Sequence, residues 1–77
     1  MHRQLTPSLA EELHHLGYTE GAPSHIPPTV VAADMRIYRV QRCGECGSRG
    51  HKVIPFHRGR QYRLVCSCRK CGSEMEA

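Results

Sequence analysis

The sequence contains few large side chains from which a hydrophobic core could be built. Its 77 residues include one Phe, three Tyr and no Trp. A chain of this length buries too little apolar surface to be stable through packing alone, and small domains of this kind usually depend on a metal ion, disulfides or a partner. We therefore expect one small domain that needs an additional cross-link.

Long apolar runs are missing as well. No stretch approaches the roughly 20 residues that a membrane-spanning helix needs. The first five residues hold one basic residue, and Glu11 and Glu12 follow before any apolar run can form, so we expect no secretion signal. These absences predict a cytoplasmic protein without a membrane partner.

Cysteine, in contrast, is abundant, with five residues, and an odd number in a reducing compartment argues against a disulfide framework. Four of the five belong to two Cys-x-x-Cys-Gly units, in which a tight turn can aim both sulfurs at one point. The two units are separated by 21 residues, enough for a strand, a turn and a returning strand. The four cysteines are Cys43, Cys46, Cys68 and Cys71. Because structural zinc prefers four thiolates in a tetrahedron, they predict one structural Zn²⁺ ion.

The two units resemble the knuckles of the zinc ribbon families, in which a strand leads into the first unit and a β-hairpin leads into the second. The matching residues include Gly47 and Gly72, which follow the second cysteine of each unit, and the resemblance covers about residues 36–74. It implies a three-stranded antiparallel sheet around one zinc ion. It does not specify a role, because ribbons occur in transcription factors, polymerase subunits, ribosomal proteins, topoisomerases and many enzymes.

Other residues could in principle replace one of these ligands. Cys66 could take the place of Cys68, but it would be separated from Cys71 by four residues and would lose the tight knuckle. Strand alternation favours a core position for Cys66, where a thiol behaves as a small hydrophobe. His51 and His57 have the right chemistry but no partner at ligand spacing, so we expect a turn residue and a strand-end residue.

Four leucines predict an amphipathic helix over residues 5–16. They are Leu5, Leu9, Leu13 and Leu16. Thr6 with Pro7 offers one start for this helix, Ser8 with Glu11 offers a capping box slightly later, and Gly17 favours an end. Because a helix of about three turns is marginal alone, the leucine face should pack on its own domain, on a partner protein or on a second copy.

Alternating apolar and polar residues predict three strands, over residues 35–43, 52–57 and 61–68, with the hairpin turn at residues 58–60. Pro55 suggests an edge position for the second strand. Residues 29–34 fit either a short strand or a turn, and residues 75–77 a frayed end. The expected fold is a small metal-stabilised α+β protein, with a short helix over 1–17, an irregular Pro- and Gly-containing linker over 18–35 and a three-stranded antiparallel zinc ribbon over 36–77.

Charge is distributed unevenly along the chain. Residues 1–34 hold one basic residue against four acidic ones, whereas residues 35–77 hold ten basic residues against three acidic ones. This asymmetry favours a polyanionic partner, DNA or RNA, although a zinc–thiolate centre would reduce the positive charge. The predicted contacts are Arg39, Arg42, Arg58, Arg60, Arg63, Arg69 and Lys70. Phe56 and Tyr62 could stack on bases but are better explained as core residues.

The sequence therefore favours a non-catalytic zinc-binding module that contacts nucleic acid, associated with transcription or translation. The alternative is a protein–protein interaction adaptor that binds a partner or forms a homodimer through the leucine face, with zinc purely structural. An enzyme is not expected, because four thiolates close the metal shell and no Ser/His/Asp set, phosphate-binding loop or paired carboxylates are present.

Overall fold

Residues 8–77 are described by the computed structural model of the protein. Within them lie two helices and one four-stranded antiparallel sheet, in the sheet order β1-β2-β3-β4. The elements in chain order are α1 (Leu9–His15), β1 (Thr19–Glu20), α2 (Pro28–Arg39), β2 (His51–Arg58), β3 (Gln61–Cys68) and β4 (Glu74–Glu76). The three-stranded sheet that the resemblance implied is thus replaced by a four-stranded one.

The predicted hairpin is confirmed, and it forms the centre of the sheet. Strands β2 and β3 pair along their full length, from Arg58 opposite Gln61 to His51 opposite Cys68. Gly59 takes the first turn position with φ 59°, a left-handed conformation that costs glycine little. Successive side chains point to opposite faces, so the hairpin offers an apolar surface on both sides.

Each face of the hairpin carries its own small core. On one face Phe56 and Val65 pack with Leu13 of α1 and with Tyr18. On the other face Val53, Leu64 and Cys66 pack together, covered by Met35 and Tyr38 of α2 and by Met75 of β4. The sheet therefore lies between the two helices, and the alternation predicted for the hairpin residues is confirmed.

Helix α1 begins at the later of the two predicted starts. Ser8 is the N-cap: its hydroxyl accepts a hydrogen bond from the Glu11 N–H, and the Glu11 carboxylate accepts one from the Ser8 N–H. The earlier start at Thr6 and Pro7, together with Leu5, lies outside the described residues. After the helix, Gly17 has φ 93° and lets the chain turn back toward the sheet, as its sequence position predicted.

The strand predicted over residues 35–43 is wrong, because Pro28–Arg39 forms α2. Pro28 occupies the first turn of this helix, where a missing N–H costs nothing. Val31, Met35 and Tyr38 recur at helical spacing; Met35 and Tyr38 pack on the sheet and Val31 is buried on the same side, so packing fixes the helix. The helix also covers residues 29–34, whose state the sequence left open, and crosses the boundary drawn between residues 35 and 36.

The two short outer strands are absent from the predictions. Thr19 pairs with His57 and Glu20 with Phe56, which places β1 in the predicted linker. Strand β4 pairs with β3 through Met75 opposite Cys66, so this segment is not a frayed end. The edge position suggested by Pro55 is not observed, because β2 lies between β1 and β3. Only the two residues of β1 pair with β2 on that side, however.

Neither helix in the described part of the chain has the length and apolar character that a bilayer crossing requires.

Candidate metal centre

The first cysteine turn follows α2 after a short connection and is closed by backbone hydrogen bonds. The Gly47 N–H donates to the Cys43 carbonyl at 2.9 Å, and the Cys43 N–H donates to the Ser48 carbonyl at 2.7 Å. Gly47 has φ 76°, a conformation that a residue with a Cβ rarely adopts. Within this turn the Glu45 N–H also donates to the Cys43 sulfur at 3.3 Å. The turn thus aims a backbone N–H at the sulfur of Cys43.

The second turn, at the end of β3, repeats this arrangement. The Gly72 N–H donates to the Cys68 carbonyl at 2.9 Å, and the Cys68 N–H donates to the Ser73 carbonyl at 2.8 Å. Gly72 has φ 79°. The Cys71 N–H donates to the Cys68 sulfur at 3.5 Å. The two turns share the sequence Cys-x-x-Cys-Gly-Ser, and this shared serine is a positional feature that the sequence reasoning missed.

The two turns bring four sulfurs together. The Cys43 and Cys71 sulfurs are 3.7 Å apart, and the Cys46 and Cys68 sulfurs are 3.6 Å apart. All four sulfurs lie within 4.8 Å of one another, so the four cysteines are positioned to hold a metal ion. Cys43 and Cys68 are buried, whereas Cys46 and Cys71 are exposed. The ligand set predicted from the spacing is therefore assembled in the fold.

Hydrogen bonds within the turns lower the pKa of three of the four thiols. The backbone and then the hydroxyl of Ser48 lower the pKa of Cys46. The backbone N–H of Cys71 has the largest effect on Cys68 and lowers its pKa. The hydroxyl and then the backbone of Ser73 lower the pKa of Cys71. Each of these groups favours the thiolate, the form that binds a metal cation.

Cys43 differs from the other three. Backbone N–H groups of Cys46 and Glu45 act to lower its pKa, but burial and the neighbouring thiols Cys71 and Cys68 outweigh them and raise it. A buried thiol among other thiols resists losing its proton because the thiolates repel one another. A cation at the centre would favour the thiolate of Cys43 as well.

The three residues considered as substitute ligands lie elsewhere. Cys66 is fully buried in the core under α2, and burial raises its pKa. His51 is the first residue of β2, not a turn residue, and is buried with its Nδ1 atom lacking a hydrogen-bond partner. His57 lies near the end of β2, as predicted, and its Nδ1 atom is 2.8 Å from the Gly21 carbonyl oxygen. None of the three belongs to the cluster of four sulfurs.

The predicted nucleic-acid contacts are divided between the two ends of the hairpin. Arg42 directly precedes the first cysteine turn, and Arg69 and Lys70 lie inside the second. These three residues are exposed and lie at the end of the hairpin that carries the cysteine cluster. Arg39 is exposed at the end of α2. Arg60 is exposed at the opposite tip of the hairpin.

The remaining two predicted contacts, Arg58 and Arg63, are committed to the fold. Both guanidinium groups lie over the Tyr18 ring, at 5.3 and 5.5 Å from its centre. Arg58 also donates to the Leu16 carbonyl at 2.8 Å, and Arg63 donates to the Tyr18 hydroxyl at 3.0 Å. Arg63 forms an ion pair with Glu76. These contacts anchor the turn after α1 to the sheet.

The leucine face of α1 is used mainly inside the domain. Leu13 is buried in the core with Phe56, and Leu9 packs against the same core. Leu16 remains 57% exposed, and Leu5 lies outside the described residues. Of the options that the sequence left open, packing on its own domain accounts for Leu9 and Leu13.

The fold and the cluster define a small α+β protein with a candidate metal-binding site of four cysteines. Comparisons with protein-family models, curated proteins and solved structures give no match. Function therefore has to be inferred from the chemistry of the site and of the surface around it.

Proposed function

We propose that the chain is a zinc-binding module in which the metal is structural. The observation that carries this proposal is the mutual approach of four sulfurs to within 4.8 Å. Zinc–thiolate bonds of about 2.3 Å in a tetrahedron place sulfurs about 3.8 Å apart. The closest sulfur pairs, at 3.6 and 3.7 Å, are near that spacing. The site therefore needs little rearrangement to accept zinc.

A site of this composition favours a structural and not a catalytic role. Catalytic zinc keeps one coordination position for water or substrate, whereas four thiolates fill a tetrahedral shell. The module is accordingly proposed to have no enzymatic activity. It is proposed to work in a reducing compartment such as the cytoplasm, where the cysteines remain available as ligands.

Metal content of the purified chain tests the zinc assignment. Native mass spectrometry combined with elemental analysis should show one zinc ion per chain, and Cys43→Ser should lower that occupancy sharply. Four thiolates in a tetrahedron also suit iron. One iron per chain, with the visible absorption of an iron–thiolate centre, would show that zinc is the wrong metal. A metal-free folded protein would contradict the structural role altogether.

We further propose that the end of the hairpin that carries the cysteine cluster binds the phosphate backbone of nucleic acid. Five exposed basic residues lie at this end, and we call this surface the basic metal end: Arg42, Arg49, Lys52, Arg69 and Lys70. The backbones of Arg42 and Arg49 bridge to each other, and the Arg69 N–H donates to the Gly50 carbonyl at 3.1 Å, which joins the two cysteine turns. Their five positive charges exceed by one the negative charges of Glu45, of Glu74, which shares a cross-strand row with Lys52, and of a zinc–tetrathiolate centre, which is doubly negative. A net positive surface therefore remains after the metal is bound.

The surface supports phosphate contacts more than base contacts. Tyr18 and Phe56 are buried, and Tyr62 is half-buried with a covered hydroxyl, so these aromatic rings are not displayed for stacking. Base stacking needs an exposed aromatic face. Lysine and arginine instead neutralise phosphates and release counterions, which gives affinity without sequence preference. We therefore expect binding that depends steeply on salt and little on sequence.

A salt titration with matched variants tests this proposal. Binding of a fluorescent duplex and of a single strand should weaken as salt rises, and Arg49→Gln or Lys52→Gln should reduce the logarithmic slope by about 0.9 on a DNA duplex for each lost contact. The control is Arg60→Gln, which removes the same charge at the opposite tip of the hairpin. If Arg60→Gln has the larger effect, the binding surface is misplaced. Absence of binding to any DNA or RNA at low salt would contradict nucleic-acid contact.

A further inference from the structure

The solvent-facing side of α2 displays an apolar stripe. Val30 is 45% exposed, Ile37 61% and Val40, the residue that caps the helix, 60%. With exposed Ala33 between them, these residues follow one another at spacings of three, four and three. Such spacing aligns side chains along one helix face and is that of a coiled-coil seam.

This stripe is not part of the core of the molecule. Helix α2 already packs on the sheet through Met35 and Tyr38, which lie on its opposite side together with buried Val31. Three of the four exposed large hydrophobic residues in the described part of the chain belong to the stripe, the fourth being Leu16. A concentration of exposed apolar residues on one helix is typical of an interaction surface.

The two edges of the stripe carry opposite charges. Arg36 lies one turn from Ala33 and Val40, along one edge, and it is exposed. Asp34 lies one turn from Val30 and Ile37, along the other edge, and it is half-buried. Within residues 8–77 the ion pair between Arg63 and Glu76 is the only one, so Asp34 and Arg36 have no ionic partner in the described part of the chain, although the Asp34 carboxylate lies near the neutral Tyr62 hydroxyl.

We propose that this stripe binds a second copy of the chain, with the two α2 helices parallel. Parallel helices related by a two-fold axis along the seam place each residue of the stripe beside its own equivalent. The same symmetry places the Arg36 edge of one copy against the Asp34 edge of the other, twice. An antiparallel pair would instead bring like edges together. The surface is therefore self-complementary in both shape and charge only for parallel pairing.

The seam is apolar throughout. Val30 and Ile37 take its a positions, and Ala33 and Val40 take its d positions, so no charged side chain has to be buried when two copies pair. The seam is only about three turns long, so the dimer is reversible and depends on protein concentration. Its formation does not require nucleic acid, and none of the stripe residues is a predicted metal ligand, so with metal-loaded protein it is tested separately from the proposed function.

Sedimentation equilibrium of the metal-loaded chain over a wide range of concentration tests the dimer. The wild-type chain should show a monomer–dimer equilibrium, and Ile37→Glu should shift the dissociation constant upward by at least tenfold. Ile37 is 61% exposed, so this variant should keep its circular dichroism and metal content. A monomeric wild-type chain at all concentrations, or an Ile37→Glu chain that dimerises normally, would overturn the proposal.

Charge exchange across the seam tests the partner and its orientation. Arg36→Asp gives a chain with two acidic edges, and Asp34→Arg gives a chain with two basic edges. In a parallel pair each variant alone should dimerise more weakly than wild type, whereas an equal mixture should recover heterodimers visible by native mass spectrometry.

An antiparallel pair would already place like charges together, so Arg36→Asp alone would leave its affinity unchanged, and that result would overturn the proposal. The Arg36→Asp variant alone distinguishes the parallel from the antiparallel pair. Arg36 is exposed, so the variant should fold, and the result does not depend on whether Asp34→Arg folds. A mixture that recovers no heterodimer would likewise rule out the paired edges.

Discussion

Cys66 and Cys68 lie two residues apart on the same face of β3, yet only Cys68 belongs to the cluster of four sulfurs. Cys68 is the last residue of the strand, and the turn that follows brings its sulfur to the cluster. Cys66 is opposite Met75 of β4 and has no exposed surface. Burial raises its pKa and keeps it as a neutral thiol. The sequence separates the two residues in the same way, because only Cys68 has Cys71 at knuckle spacing.

Substitution of each cysteine by alanine should distinguish the two roles. Cys66→Ala should keep one metal ion per chain and lower the free energy of unfolding by about 1 kcal/mol, since it removes one buried apolar atom. Cys68→Ala should lose the metal. Elemental analysis and urea denaturation measure these effects. A Cys66→Ala protein without metal would show that the ligand set is wrong.

Tyr62 provides a prediction about alkaline stability. Burial, and then the nearby charge of Asp34, raise its pKa above the ordinary value of 10.0. The unfolded chain ionises this phenol near pH 10.0, whereas the folded chain keeps it neutral to higher pH. Its contribution to stability is therefore complete below that pH and is lost as the pH rises through the folded-state pKa.

Tyr62→Phe should consequently reduce the loss of stability above about pH 10. At neutral pH the variant should lie within about 1 kcal/mol of wild type, because it removes only the hydroxyl and keeps the ring packed against the core. Urea denaturation at several alkaline pH values measures the difference, with Tyr38→Phe on α2 as the matched control. An equal alkaline loss in wild type and Tyr62→Phe would contradict this account.

At the scale of single elements, the sequence predicts caps and turns well, because they depend on neighbouring residues. It predicts poorly those elements whose type depends on packing against distant parts of the chain. The capping box at Ser8, the hairpin turn at Gly59 and the cysteine turns are local, and all three are present. Helix α2 was missed because Ile37, Tyr38 and Arg39 also fit strand alternation. The spacing of Val31, Met35 and Tyr38 after Pro28 was the available helical signal.

The short outer strands depend on partners that are distant in sequence. Strand β1 is two residues long and exists because His57 and Phe56 lie beside it. Strand β4 forms only against residues of β3 such as Cys66. No periodicity can be read from two or three residues, so such strands cannot be predicted before the sheet is known.

Helix α1 should depend strongly on its cap because it has only seven residues. Ser8→Ala removes the hydroxyl that accepts from the Glu11 N–H and should lower the free energy of unfolding by about 1 kcal/mol. Ser8→Asp keeps an acceptor at the same place and should behave like wild type. Urea denaturation of the two variants compares them directly. Equal destabilisation by both substitutions would mean that the cap is not the cause.

At the scale of the molecule, two small cores share one hairpin. Seven large apolar side chains are buried in the described residues: Leu13, Tyr18, Val31, Val53, Phe56, Leu64 and Val65. The sequence predicted this shortage from its few aromatic residues, but it could not show that the buried residues divide between two faces. Neither core is large enough to stabilise the domain alone.

Removal of the metal should therefore unfold the described part of the chain, not the cysteine turns alone. Metal binding in small domains supplies much of the folding free energy, on the order of 10 kcal/mol. Addition of a chelator should collapse the amide dispersion in NMR spectra, and restored zinc should recover it. The same treatment of Cys66→Ala should give the same result. A dispersed spectrum, with metal loss confirmed by mass, would contradict this dependence.

The pairing of His51 with Cys68 links the metal to the alignment of the whole hairpin. Because neighbouring strand residues face opposite sides, a slip of one residue would exchange the two cores and turn the Cys68 sulfur away from its three partners. A misaligned hairpin could bury some apolar surface, but it could not complete a four-sulfur shell. A metal ion bound by the four sulfurs would thus stabilise one strand register over others that packing alone would distinguish weakly.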